Sequence, residues 1–132
     1  MTIPRRFLLQ ATIAGVATMA FAPAHAFEMR PFDAKAFEAA QAAGKPILVD
    51  VSAPWCPTCK AQKPILSSLA AKAKFKELVA FEIDFDGQKD LLRKFGVTMQ
   101  STLISFKGSQ EVGRSTGDTN ASSIEALLDK SV

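Results

Sequence analysis

The stretch "ILVDVSAPWCPTCKAQKPIL", Ile47 to Leu66, joins an apolar run to a helical one across the only two cysteines and the only tryptophan of a 132-residue chain. Ile47 to Val51 is nearly continuous apolar sequence, the pattern of a central strand covered on both faces. From the cysteines onward the spacing predicts a helix to about Lys74, kinked at Pro64, whose ring removes a backbone donor. A bridge between Cys56 and Cys59 would close too small a loop to restrict the unfolded chain much. Chemistry explains the pair better than stabilisation does.

On either side the patterns alternate between helical and extended, without repeats or an interdomain linker. Asp33 is placed to cap a helix running to about Ala43, with Phe37 and Ala40 inward and Gly44-Lys45-Pro46 ending it. Leu78 to Phe85 alternates as a second strand, and Gln88 to Phe95 reads as a short helix stopped by Gly96. Thr102 to Arg114 reads as a hairpin turning at Lys107 to Gln110. Asn120 opens a last helix with Ile124, Leu127 and Leu128 inward. The sum is one α/β unit, residues 27–132, large enough to bury a core without a crosslink.

Residues 1–26 read as an export signal. Arg5 and Arg6 precede an uncharged apolar stretch that ends in Ala24-His25-Ala26, a small-x-small cleavage pattern. The paired arginines followed by Leu8-Leu9 partly match a twin-arginine signal, with the general export route and an uncleaved anchor as the alternatives. All 13 acidic residues lie beyond this leader while two of the 16 basic ones lie within it, so the mature part has a formal charge of +1. No basic stripe remains for nucleic acid. The single histidine, His25, leaves with the leader, which removes histidine-based triads and histidine-ligated metal from the functions open to one mature subunit.

Cys56 and Cys59 stand at i and i+3, which places both sulfurs on one side of a first helical turn, within disulfide reach. At the helix start, unpaired N–H groups and the helix dipole favour an anion, so Cys56 is the expected nucleophile. Cys59, one turn further in and more shielded, is the expected resolving thiol. Asp50, a carboxylate inside an apolar strand, is a candidate proton acceptor for Cys59, directly or through a water, with a raised pKa. Its alternative is a hydrogen bond to the following turn. Trp55 either fills the core or offers a docking face beside the thiolate. Lys60 and Lys63 read as solvated helix residues. The competing use of the cysteines is a metal site, which needs ligands from a second subunit or carboxylates.

With these residues in view, the segment resembles the active site of the thioredoxin family. Beyond Trp-Cys-x-x-Cys-Lys, Asp50 is similar to the family's buried aspartate, Pro64 to its helix-kinking proline, "FGVTMQSTLISFKG" to its next loop and strand, and Gly117 to the glycine before the last helix. The resemblance implies a thioredoxin-like α/β fold, a central mixed sheet flanked by helices, and thiol-disulfide exchange without a cofactor or metal. It implies supporting or substrate-binding places for Trp55, Pro57, Thr58, Gln100 and Ser101. The dipeptide Pro57-Thr58 is similar to that of periplasmic cytochrome c maturation reductases and favours a reducing role.

Two positions depart from the family pattern. Ser101 stands where the family has a cis-proline, so Gln100-Ser101 is expected to be trans, with room beside Cys56 for a hydroxyl hydrogen bond, or for metal or an iron-sulfur cluster shared by two subunits. Ala80 stands where a lysine often neighbours the aspartate, leaving Asp50 without a compensating charge, and Glu82, on the same face, could only repel it. The expectation is an exported, periplasmic, monomeric oxidoreductase that reduces or isomerises disulfides of envelope proteins and takes electrons from a membrane thiol relay. Oxidase direction, a metal-binding module and a chaperone-like binder are the alternatives.

Overall fold

The computed structural model describes Gly15, Ala17, Met19 and residues 27–132; the expected leader and its cleavage site therefore lie outside the described residues. Five strands and four α-helices follow in the order β1 (Met29–Pro31), α1 (Ala34–Ala42), β2 (Pro46–Ser52), α2 (Pro57–Ala70), β3 (Val79–Asp84), α3 (Lys89–Phe95), β4 (Thr102–Lys107), β5 (Gln110–Thr116) and α4 (Ala121–Asp129). The strands form one mixed sheet in the order β1-β3-β2-β4-β5. β1, β3 and β2 run parallel, and β4 and β5 are antiparallel to their neighbours. This is the mixed sheet flanked by helices that the resemblance implied.

Strand alternation sorts the core into two layers. Ile47, Val49 and Val51 of β2, with Phe81, Ile83, Ile104 and Phe106, face α1 and α3. Leu48, Ala80 and Leu103 face the other way, against Leu66 and Leu69 of α2 and Ile124 and Leu128 of α4. Asp50 therefore shares the face of Leu48 and lies toward α2.

Two helices begin on capping residues that the sequence marks. Asp33 caps α1 by accepting from Lys35 N–H at 3.1 Å, and Asn120 caps α4 by accepting from Ser123 N–H at 3.1 Å. Gly96 ends α3 at φ +63°, a conformation that costs glycine little. The helix expected to reach Lys74 stops at Ala70. A separate 3₁₀ turn, Ala73–Phe75, follows it and places Phe75 fully within the core, a position the continuing helix would not give it. β1 has no signal in the sequence: it is three residues long and its place depends on pairing with β3.

Candidate active site

The cysteines sit at the junction of β2 and α2, and Cys56 is itself the N-cap residue of the helix. Its backbone is extended, and its sulfur accepts from the Cys59 N–H at 3.1 Å, filling the role usually taken by a serine or aspartate oxygen. Pro57 occupies the first helical position, where a missing N–H costs nothing and the fixed φ suits the turn. Pro64 lies inside α2 and removes the donor that would have met Lys60 C=O.

Both cysteines are free thiols. Cys56 is 1 % exposed and Cys59 2 %, so the sequence expectation of a more open Cys56 is corrected as far as surface is concerned. Depth still differs: Cys56 lies just under the surface, whereas more protein surrounds Cys59. Burial pushes the Cys56 thiol up, but hydrogen bonds from Cys59, from Ser101 and from the Thr58 N–H together overcome it, and the net shift is downward. Burial and the hydrogen bond with Cys56 raise Cys59, against smaller opposing contributions from the Ala53 backbone and Ser52. Of the two thiols, Cys56 is therefore the more readily ionised and Cys59 the one that keeps its proton longer.

Asp50 is 4 % exposed on β2, and its Oδ1 has no hydrogen-bond partner among the described residues. Burial raises its pKa to about 7, helped by Glu82 directly across the parallel register and opposed by Lys63. Lys63 thus supplies part of an opposing charge that the sequence did not assign to it, from α2 rather than from β3, where Ala80 stands. No hydrogen bond joins Asp50 to Cys59 among the described residues. A cleft of about 190 Å³ opens beside Asp50, between Lys63 and Glu82 and the apolar Phe27, Met29 and Leu66. It is large enough for water, which lets a proton leave Asp50 away from the thiols.

The rim is formed by residues from separate loops. Trp55 is 55 % exposed, so it fills no core gap; its indole N–H donates to Asp86 Oδ2 at 2.7 Å and its ring meets Phe85 edge-on at 6.4 Å. Met99, 52 % exposed, adds a second apolar surface next to the half-buried Gln100. Thr58 is half-buried and Pro57 exposed. Among the described residues no peptide bond is cis, so Gln100-Ser101 is trans, and Ser101 takes φ +55°. No group of three or more His, Cys, Asp or Glu side chains that could hold a metal ion occurs among the described residues.

Sequence reasoning missed Gln62. It is buried on the inner face of α2 and donates from Nε2 to Ser101 C=O at 3.3 Å and to Asp118 C=O at 2.9 Å. The available signal was a polar residue at helical spacing between Cys59 and Leu66, where an apolar one fits.

Comparison with known proteins agrees with this geometry. The thioredoxin family model matches residues 28–130. The chain is 36% identical over 97 residues to thioredoxin Asp f 29 of Aspergillus fumigatus, covering 73% of this chain and 87% of that protein. With the human thioredoxin it shares 36% over 96 residues, 72% of this chain and 89% of the relative. Among solved structures, Trxlp from Edwardsiella tarda EIB202 superposes with a TM-score of 0.74 at 44% identity, covering 76% of this chain and 98% of that one.

Proposed function

The chain belongs to the thioredoxin family and is a thiol-disulfide oxidoreductase, and on that premise we propose that it works outside the bacterial cytoplasm, reducing or isomerising disulfides of envelope proteins. The observation that carries the chemistry is Cys56 as N-cap, its sulfur held at 3.1 Å by the Cys59 N–H, an arrangement that eases ionisation of Cys56 while burial and the hydrogen bond with Cys56 disfavour that of Cys59. In the reducing direction, the Cys56 thiolate attacks one sulfur of a substrate disulfide. A mixed disulfide forms, and the other substrate sulfur leaves as a thiolate. Cys59 then gives its proton to Asp50 through water, attacks Cys56 Sγ and releases the second substrate thiolate. Two electrons pass to the substrate, and the chain is left with a Cys56–Cys59 disulfide. Trp55, Pro57, Thr58, Gln100 and Ser101 frame the attacking sulfur, with Trp55 and Met99 offering apolar contact to an unfolded or loop segment.

Export rests on the leader pattern, and the target class follows from export: disulfides persist outside the cytoplasm. Re-reduction there calls for a membrane thiol relay, and the chain acts as a monomer without metal or nucleic acid. Expression of the full chain in a Gram-negative host, followed by fractionation and N-terminal sequencing, tests location; the expected mature N-terminus is Phe27 in the periplasmic fraction. For the chemistry, the purified chain should catalyse dithiothreitol-driven reduction of insulin. Cys56→Ser should abolish that turnover, and retained turnover would remove the assignment.

A further inference from the structure

We infer that Gln62 is a positioning residue that latches the Met99–Thr102 loop and the Gly117–Asp118 turn to the active-site helix, and so holds Ser101 against Cys56. The inference rests on the thiol-exchange reading and adds to it a residue that touches neither sulfur.

Gln62 is 1 % exposed and lies one turn beyond Cys59, on the stripe that continues through Leu66 and Leu69. An amide at such a position costs free energy unless its groups are satisfied. The two partners of Nε2 are both carbonyl oxygens, on Ser101 and Asp118, which fixes the amide with its nitrogen toward the loops. Oε1 is then left buried without a partner among the described residues, an omission worth about 1–3 kcal/mol. A leucine would pack here without that cost. What leucine lacks is the bond across to the loops.

Those loops need holding. Ser101 is the only described non-glycine residue with positive φ, a left-handed conformation that costs an L-residue roughly 1–2 kcal/mol. Several bonds determine it. Ser101 C=O accepts from Gly117 N–H at 3.0 Å as well as from Gln62, the Ser101 hydroxyl donates to Gln100 C=O at 2.7 Å, and Thr102 Oγ1 donates to Met99 C=O at 2.8 Å. All except the Gln62 bond stay within the loop or reach the end of β5. Gln62 ties the Ser101 backbone to the inner face of the helix that carries the cysteines. The Ser101 hydroxyl also stands among the groups that lower the Cys56 pKa. Its one proton goes to Gln100 C=O in the structure, so a bond to the ionised Cys56 requires the hydroxyl to turn.

The test is a double-mutant cycle between Gln62→Leu and Ser101→Gly in the full reduced chain, read by the pH profile of Cys56 alkylation with iodoacetamide and by the melting temperature. If the latch holds Ser101 in place, Gln62→Leu moves the Cys56 midpoint upward by about half a pH unit, close to a threefold loss of thiolate below the midpoint. Ser101→Gly does the same, and the double variant does no more than either alone. An unchanged midpoint in Gln62→Leu, or shifts that simply add, overturns the inference, whatever happens to the melting temperature. Should Gln62→Leu not fold, Gln62→Met, unbranched and similar in length, serves the same cycle. The titration reads Cys56 whether or not insulin is reduced, so loss of the exchange reading and loss of the latch give different results.

Discussion

Against α1 and α3 the sheet presents Ile47, Val49, Val51, Ile83 and Ile104, together with a cluster in which the rings of Phe32, Phe37, Phe81, Phe95 and Phe106 meet at 5.2–6.1 Å. Against α2 and α4 it presents Leu48, Ala80 and Leu103 interspersed with Asp50, Ser52, Glu82 and Ser105. The buried side-chain atoms without a partner among the described residues belong to Asp50, Gln62, Ser105 and Ser115, all of them on this second side. The contrast separates stability from chemistry. One face is satisfied throughout and resists change; the other keeps polar groups short of partners, beside a cleft and under a reactive sulfur.

The largest effect that would break this division belongs to the apolar face. Phe37→Ala removes a ring that touches four others and should cost about 3–5 kcal/mol in urea unfolding. The Cys56 alkylation profile of the folded fraction should stay where it is. Movement of that profile would mean the two faces are coupled through the sheet.

Asp50→Asn addresses the other face and has an effect of opposite sign that appears only as pH rises. With the carboxyl raised from 3.8 to about 7 by burial, Glu82 repulsion and incomplete relief from Lys63, the folded state holds a proton that the unfolded state has released. Wild-type stability from this group is therefore greatest below pH 4 and is lost as pH rises toward 7, by roughly 4 kcal/mol in all. Asp50→Asn should flatten that slope, be more stable than wild type at pH 8, and slow resolution of the mixed disulfide. Parallel unfolding curves for the two proteins at pH 5 and pH 8 would show that the carboxyl is not desolvated.

The smallest effect sharpens the comparison. Lys63→Gln removes the charge that lowers Asp50, so the fall in stability should still begin near pH 4 but end at a higher pH, in the same unfolding series and by less than the Asp50→Asn change. An unmoved curve would assign Lys63 to solvent, as its sequence position suggests.

Much of this molecule is legible before it is folded. Asp33, Gly96 and Asn120 mark helix ends because a cap is a contact within three or four residues. The hairpin from Thr102 shows for the same reason. Trp55 does not: from sequence its ring could pack inward or face outward, and the choice was made by Asp86, 31 residues away, which receives the indole N–H. Lys63 looks like a solvated helix residue until the register of β2 and β3 places Asp50 and Glu82 together beneath it.

What the sequence by itself determined is the reactive pair: three residues of spacing and a proline at the first helical position put Cys56 at a helix start, and the N–H that holds its sulfur is three residues away. Only the tertiary structure decided what surrounds that sulfur. Gln62 meets Ser101 across 39 residues, and Asp50 meets Glu82 across a strand pairing. Backbone geometry propagates over one turn, so local chemistry can be read from spacing. Strand register and helix rotation are set by burying the whole core at once, and no short stretch of sequence contains them.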